Sequence, residues 1–263
     1  MPERIARASS AKEISALLSD APADEARALI ERYADDPRKQ VQRAVASARR
    51  RLERDEAERL RVQGMYDLQR ELGGEGIVLG VDEVGRGSIA GPLTVCAVAL
   101  PYDPQILGIN DSKQLTPARR EVLAAKIADV ALAIGTCHVE PASIDAVGMA
   151  QALRMAMAGA IEDARVDPEC VLIDGNPMHV HPREKTLVKG DARVASLAAA
   201  SIVAKVTRDH LMVAYADEYP DYHLAECKGY ASAEHIAAIK AHGLTPIHRF
   251  SFCGNFLETP SLF

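Results

Sequence analysis

The chain has 263 residues, 48% of them apolar, no tryptophan, and a formal net charge of −6. That length supports one large domain or a domain with an extension, and the acidic balance excludes a protein that grips nucleic acid by bulk charge, though not one that uses a few placed contacts. Five cysteines without a CxxC pair, no secretory apolar region in "MPERIARASSAKEISALL" and no run of ~18 apolar residues predict a cytoplasmic chain in a reducing compartment, away from membranes.

Residues 1 to 75 read as a helical, charged extension. Val41, Val45, Ala48 and Leu52 recur at helical spacing on one stripe. Lys39 to Arg61 carries eight basic and four acidic residues, a pattern open to two readings, a supplementary substrate contact or a solvated helix face. The glycines of "ELGGEG" (71–76) then stop the helix, and a domain boundary is placed there, with a second domain over 76–263.

Beyond that boundary apolar runs alternate with helical segments. "GIVLGV" (76–81) and the valine-rich "PLTVCAVAL" (92–100) predict two strands, joined by "GRGSIAGP", too long for a two-residue turn. "TPARREVLAAKIADVA" (116–131) predicts a helix with Thr116 as N-cap and Pro117 at its first position. Strand "AIGTCHVE" (133–140), helix "MAQALRMAMAGAIEDA" (149–164) and strand "CVLIDGN" (170–176) follow. A fifth short strand, "KTLVKGDA" (185–192), and a long helix of small residues over 196–219 complete the pattern, which implies an α/β layer architecture with a covered sheet.

Acids stand at the ends of three of these strands: Asp82 with Glu83, then Asp174, then Asp191. Each follows apolar residues, so each emerges from a core, and strand ends are where sites assemble in open α/β sheets. Carboxylates gathered without matching cations repel one another, and oxygen-only ligands select Mg²⁺ or Mn²⁺ over zinc. Two such ions ~3.5–4 Å apart clamp the attacking and leaving oxygens of a phosphoryl transfer. The alternative is that the acids are unrelated turn and cap residues. Successive strand residues also point to opposite faces, so Asp82 and Glu83 share a site only if the strand is bulged or ends there.

Five segments resemble, in order, the signature blocks of ribonuclease HII, the type 2 ribonuclease H family. They are "DEVGRGSIAGP" (82–92), "DSKQLTPARRE" (111–121), "VLIDGN" (171–176), "KGDARVASLAAASIVAKVTRD" (189–209) and "KGYASAEHIAAIKAHGLTPIHRFSF" (228–252). The resemblance covers roughly residues 65–252. It implies an RNase H-like α/β fold, a mixed five-stranded sheet flanked by helices, with C-terminal helices and the helical N-terminal extension. It implies Asp82, Glu83, Asp174 and Asp191 as catalytic metal ligands, with Mg²⁺ or Mn²⁺, two ions per site, as cofactor. The implied partner is an RNA–DNA hybrid or a DNA duplex with embedded ribonucleotides, cut by a monomer on the 5′ side of the ribonucleotide to leave 3′-hydroxyl and 5′-phosphate ends.

In the same resemblance Gly85, Arg86 and Gly87 read the ribose 2′-hydroxyl, and Tyr230 packs on the sugar of the neighbouring deoxynucleotide. The chemistry is consistent, since the 2′-hydroxyl distinguishes RNA from DNA and glycines let backbone groups approach it. The related ribonuclease HIII lacks the GRG pattern. Lys113, Lys205 and Arg208 are candidate phosphate contacts, and Asp111 is a candidate to orient Lys113. The serine of "AAASIVAK" reads as helix packing, His179 and His181 as incidental loop residues, His248 and Arg249 as structural anchors, and Cys96 and Cys170 as small buried hydrophobes. Two rival readings are a non-catalytic nucleic-acid-binding module and another RNase H-like nuclease such as an integrase or resolvase.

Overall fold

The structure, a computed structural model, describes residues 10–256. By its internal contacts the chain divides into two compact units, meeting at Arg61 and Val62.

The first unit begins with two ten-residue helices, α1 (Ala11–Asp20) and α2 (Ala23–Arg32). Ser10 caps α1, accepting from the Glu13 N–H while the Glu13 carboxylate accepts from the Ser10 N–H, a reciprocal capping box. The 35-residue α3 (Lys39–Gly73) follows. Its predicted stripe of Val41, Val45, Ala48 and Leu52 packs with Ile14, Leu18, Leu29 and Ile30 into a small aliphatic core.

The second unit is built on a five-stranded sheet in the order β3-β2-β1-β4-β5. The strands are β1 (Val78–Val84), β2 (Leu93–Ala99), β3 (Ala133–Val139), β4 (Cys170–Asp174) and β5 (Glu184–Leu187). β1 pairs antiparallel with β2 and parallel with β4, and β4 pairs parallel with β5, so the sheet is mixed. Between the strands run α4 (Pro117–Val130), capped by Thr116 as predicted, α5 (Pro141–Val147) and α6 (Met149–Asp163). After β5 comes α7 (Ala195–Glu218).

Alternation along β1 sorts its residues between two cores. Leu79 and Val81 face α6, with Val95, Ala97, Ala156, Ala160 and Ile173. Val78 faces the other way, with Leu172, Val194 and Leu197. Gly80 shares that second face because a Cβ there would run into the backbone of Ser196 and Leu197, so α7 lies directly on the strand. Val62, Met65 and Tyr66, from the last turns of α3, join Val98, Ile109, Ala199 and Ile202 on the same side. These turns therefore belong to the sheet unit, which places the division inside α3 and ahead of the glycines at 73–76.

C-terminal helices α8 (Leu224–Cys227), α9 (Ala233–His242) and α10 (Phe250–Cys253) pack with Ile89, Ala90 and Met212 around Ile239 and Ile247.

Candidate active site

β1 runs unbroken through both acids, opposite β2 in regular register as far as Val84–Thr94. No bulge lies between Asp82 and Glu83. Pairing with β4 instead ends at Val81–Ile173, so the sheet parts just where Asp82 and Asp174 begin. Asp82 falls on the α7 side, 6% exposed, and Glu83 is half-buried on the other parity at the sheet's end. Asp82 Oδ1 accepts from the Glu83 N–H at 2.8 Å.

Asp174 is the last residue of β4, as predicted, and its Oδ1 accepts from the Gly190 N–H at 2.7 Å. Asp191 departs from expectation. β5 stops at Leu187, and Asp191 lies in a 3₁₀ turn, Gly190–Ala192, that leads into α7. The left-handed Lys189 (φ 56°) turns the chain out of the strand direction, and the Asp174–Gly190 hydrogen bond ties the turn to β4. Asp191 is 5% exposed, with the Lys113 ammonium 3.9 Å from its Oδ2.

The charges of these acids act on one another. Burial, then the charges of Glu83 and Asp174, raises the Asp82 carboxyl to about 7, against hydrogen bonds from Ser201 and the Glu83 N–H. Burial also raises Glu83, with Arg86 opposing and Asp174 adding to the shift. Burial, Asp111 and Asp174 raise Asp191, with Lys113 opposing. Burial works against the Lys113 charge, yet Asp111, Asp191, Asp82 and Asp174 together raise its pKa. Two cations stand near four carboxylates, Lys113 beside Asp191 and Arg86 3.8 Å from Glu83, so negative charge is in excess. Among the described residues no three His, Cys, Asp or Glu side chains close on a point that could hold a metal ion as they stand. Mutual repulsion among uncompensated carboxylates is the physical reason to expect that spacing.

The GRG loop leaves β1 directly beyond these acids. Gly85 has φ +85°, and a Cβ on it would collide with the Arg208 guanidinium. Gly87 meets nothing within 4 Å and is exposed, as is Arg86. Arg208 is not a phosphate contact. It is fully buried and donates to the carbonyls of Pro92, Ala90 and Lys228 and to the Ser88 hydroxyl, at 2.7–2.9 Å. Lys205 is engaged with Asp209 at 2.7 Å. Arg249, also fully buried, donates to the Gly91 and Arg86 carbonyls, the anchoring role expected of it. Burial lowers both guanidiniums, Arg249 to about 10 with Arg208 as a second cause. Among the described residues neither buried cation forms an ion pair with a carboxylate; carbonyl dipoles hold both, and their geometry fixes the loop.

The loop is joined to the segment bearing Tyr230. The Ile89 and Ala90 N–H groups donate to the Gly229 carbonyl, and the Tyr230 ring lies 5.7 Å from the Arg208 guanidinium. Tyr230 is 38% exposed, leaving one part of the ring free. Lys113 follows Asp111, whose Oδ1 accepts from the Lys113 N–H, so Asp111 shapes that turn. Ser201 does more than pack. Its hydroxyl meets that of Ser112 at 2.8 Å and supports Asp82, linking α7, the Lys113 turn and β1. His248 is buried against His235, with 3.0 Å between their Nε2 atoms. His179 and His181 line an open groove with Pro177, Pro182 and Lys185. Cys96 and Cys170 are buried as expected.

The sequence model described as Ribonuclease HII matches residues 79–255, which span the acids, the GRG loop and the anchoring arginines. The chain belongs to the ribonuclease HII family. It is a ribonuclease H enzyme, an endonuclease. The Ribonuclease HII N-terminal domain model matches residues 10–73. Ribonuclease HII of Ligilactobacillus salivarius (strain UCC118) is 43% identical over 219 residues, covering 82% of this chain and 86% of the relative. That of Geobacillus thermodenitrificans (strain NG80-2) is 42% identical over 243 residues, 92% and 93% of the two chains. Among solved structures, ribonuclease H2 from Pyrococcus horikoshii OT3 aligns with TM-score 0.58 at 27% identity, over 70% of this chain and all of that one. Ribonuclease HII of Archaeoglobus fulgidus, solved in complex with PCNA, aligns with TM-score 0.57 at 27% identity, over 66% and 94%. Bst-RNase HIII in complex with Mn²⁺ shares the fold, with TM-score 0.58 at 20% identity over 70% and 68%.

Proposed function

We propose that the chain hydrolyses the RNA strand of RNA–DNA hybrids, and single ribonucleotides embedded in duplex DNA, on the 5′ side of the ribonucleotide. The products would carry 3′-hydroxyl and 5′-phosphate ends. The observation that carries this reading is the excess of carboxylate, with Asp82 and Asp191 buried and Glu83 and Asp174 half-buried, where β1 and β4 part beside the GRG loop.

The donor set fits hard divalent cations, because it offers only oxygen and its charge is only partly compensated by Lys113 and Arg86. Asp82, Glu83, Asp174 and Asp191 would hold Mg²⁺ or Mn²⁺. Two such ions, when bound, supply an activated water and stabilise the leaving 3′ oxygen. The Mn²⁺ complex of the Bst-RNase HIII relative accords with this chemistry.

The rest falls to the chain's own groups. Ser201 and the Glu83 N–H orient the Asp82 carboxylate, and the Gly190 N–H orients Asp174. Lys113 and Arg86, at the rim of the acids, are placed to meet phosphates flanking the scissile bond. Gly85 and Gly87 present backbone to the ribose 2′-hydroxyl, held in place by Arg208 and Arg249. Tyr230, with part of its ring free beside that loop, packs on the neighbouring deoxyribose. An enzyme that reads backbone and sugar this way needs no net positive charge, in agreement with the acidic composition.

The test is a hybrid-cleavage assay in chelator, repeated after adding Mg²⁺ or Mn²⁺. Cleavage is expected only with metal, and robust cleavage in chelator would overturn the proposal.

A further inference from the structure

The first compact unit carries a charge pattern that the proposed catalytic chemistry does not use. Between residues 38 and 54 the sequence holds seven basic residues and one acid, Glu53. Two of the seven are occupied locally: Arg38 pairs with Asp36, and Arg51 donates to the Leu18 and Ala21 carbonyls. Lys39, Arg43, Arg49, Arg50 and Arg54 are exposed, and no ion pair holds them among the described residues; Arg49 lies about 80° or more around the helix axis from the other four.

Their spacing, i, i+4, i+11 and i+15, puts all four within about 60° of one another around the helix axis. The stripe lies opposite the buried side formed by Val41, Val45, Ala48 and Leu52. It runs about 22 Å at 1.5 Å per residue, roughly six nucleotide steps of 3.4 Å.

The arrangement works against the helix itself. Lys39–Arg43 and Arg50–Arg54 are like-charge i,i+4 pairs, which destabilise. Lys39 and Arg43 also lie in the first turns, where the helix dipole disfavours cations, and the first turn holds no acid to offset them. Further along the same helix the basic residues are neutralised, Arg59 by Glu56 and Arg61 by Glu58. Unneutralised charge on one straight face therefore belongs to residues 39–54 and complements an external polyanion with regularly spaced charge.

We infer that Lys39, Arg43, Arg50 and Arg54 of the N-terminal unit form a sequence-independent contact to the phosphate backbone of a nucleic-acid duplex, separate from the carboxylate site. The inference rests on the proposed function for the choice of duplex as the polyanion. Binding through this stripe does not distinguish ribose from deoxyribose, since phosphate contacts carry no sugar or base information.

The experiment uses the full chain with Lys39, Arg43, Arg50 and Arg54 all replaced by Gln, a good helix former at exposed positions. Fluorescence anisotropy in chelator measures affinity for an all-DNA duplex and for the same duplex with one ribonucleotide, between 50 and 200 mM salt. Loss of four phosphate contacts lowers the slope of log K against log salt by about 3–4, at about 0.9 per contact. Both duplexes weaken alike, by tenfold or more at 100 mM salt. A variant with Arg43, Arg50 and Arg54 replaced by Lys retains affinity and slope. One with Arg59→Gln and Arg61→Gln, whose charges are already paired, is expected to bind as the parent does.

Unchanged affinity and slope in the four-Gln variant would overturn the inference. So would equal loss in the Lys variant or in the Arg59/Arg61 variant, which would mean a structural effect or bulk charge. Single-turnover cleavage with saturating enzyme separates this inference from the proposed function, because the four-Gln variant should keep the parent rate there. If the parent cuts no ribonucleotide-containing duplex while the stripe still controls DNA binding, the catalytic reading fails and the stripe stands.

Discussion

Gly85 and Gly87 flank the same exposed arginine, yet the structure gives them different duties. Gly85→Ala places a methyl group against the Arg208 guanidinium in a backbone conformation with φ +85°. The left-handed conformation costs an L-residue about 1–2 kcal/mol. Moving the guanidinium forfeits at least one of its four hydrogen bonds, and bonds to a charged group are worth about 1.5–3 kcal/mol. The total is about 2.5–5 kcal/mol, or roughly 5–20 °C in Tm for a domain near 200 residues. Gly87→Ala meets no atom within 4 Å and should leave Tm unchanged to about 1 °C. Thermal melts of both variants by far-UV circular dichroism test the contrast. Cleavage of a single-ribonucleotide duplex then asks whether Gly87→Ala loses ribose selectivity while stable. Equal Tm changes in the two variants would refute the assignment of Gly85 to loop geometry.

The acids give further predictions. Asp174→Asn should lower kcat on a hybrid substrate by about 10²–10³, the order of losing a charge-stabilising group, with Tm close to the parent's; retained turnover would remove Asp174 from the site. Asp82, raised to about 7 by burial and its acidic neighbours, favours folding when protonated, so its stabilising contribution is lost as pH rises from about 4 to about 7. In chelator, Asp82→Asn should therefore raise stability at pH 8 by about 2–4 kcal/mol, with the gain vanishing near pH 4, and denaturant titrations at both pH values check it. His248, lowered to about 4 by burial and His235, acts in the opposite sense. Its contribution is lost as pH falls from about 6.5 toward 4, and an acid-unfolding curve of His248→Gln should be flatter there than the parent's.

Much of this arrangement was legible in the chain itself. Apolar runs placed β2 and β3 within a residue or two, and Thr116-Pro117 marked the start of α4. Asp82 and Asp174 were readable because each ends an apolar run, and Asp191 because it follows one closely, past Lys189 and Gly190. What local pattern did not contain was the route between elements. "KTLVKGDA" looks like a strand, but the left-handed Lys189 and the Asp174–Gly190 hydrogen bond end it early, and that bond joins residues from different strands. Where β4 stops beside β1, just short of Asp82, was likewise hidden, because it is a matter of register between strands.

Arg208 carries a different lesson. Its type suggested solvent and phosphate, but its spacing did not. Ser201, Ala204, Arg208 and Met212 fall on one helical stripe, and all are buried. That stripe was visible in the sequence, and it also carries Ser201, whose contact with Asp82 was missed. The partners that make burial of Arg208 tolerable, carbonyls at residues 90, 92 and 228, lie too far away in the chain for local pattern to reveal.

One measurement bears most directly on the site as a whole: mapping the ends produced from a duplex with one ribonucleotide, alongside an identical all-DNA duplex, in Mg²⁺ and in Mn²⁺. Carboxylate-held metal beside a ribose-reading loop requires a single nick 5′ to the ribonucleotide, with 3′-hydroxyl and 5′-phosphate termini, and an intact all-DNA control. Cutting of the all-DNA duplex, or a nick at any other position, would contradict it.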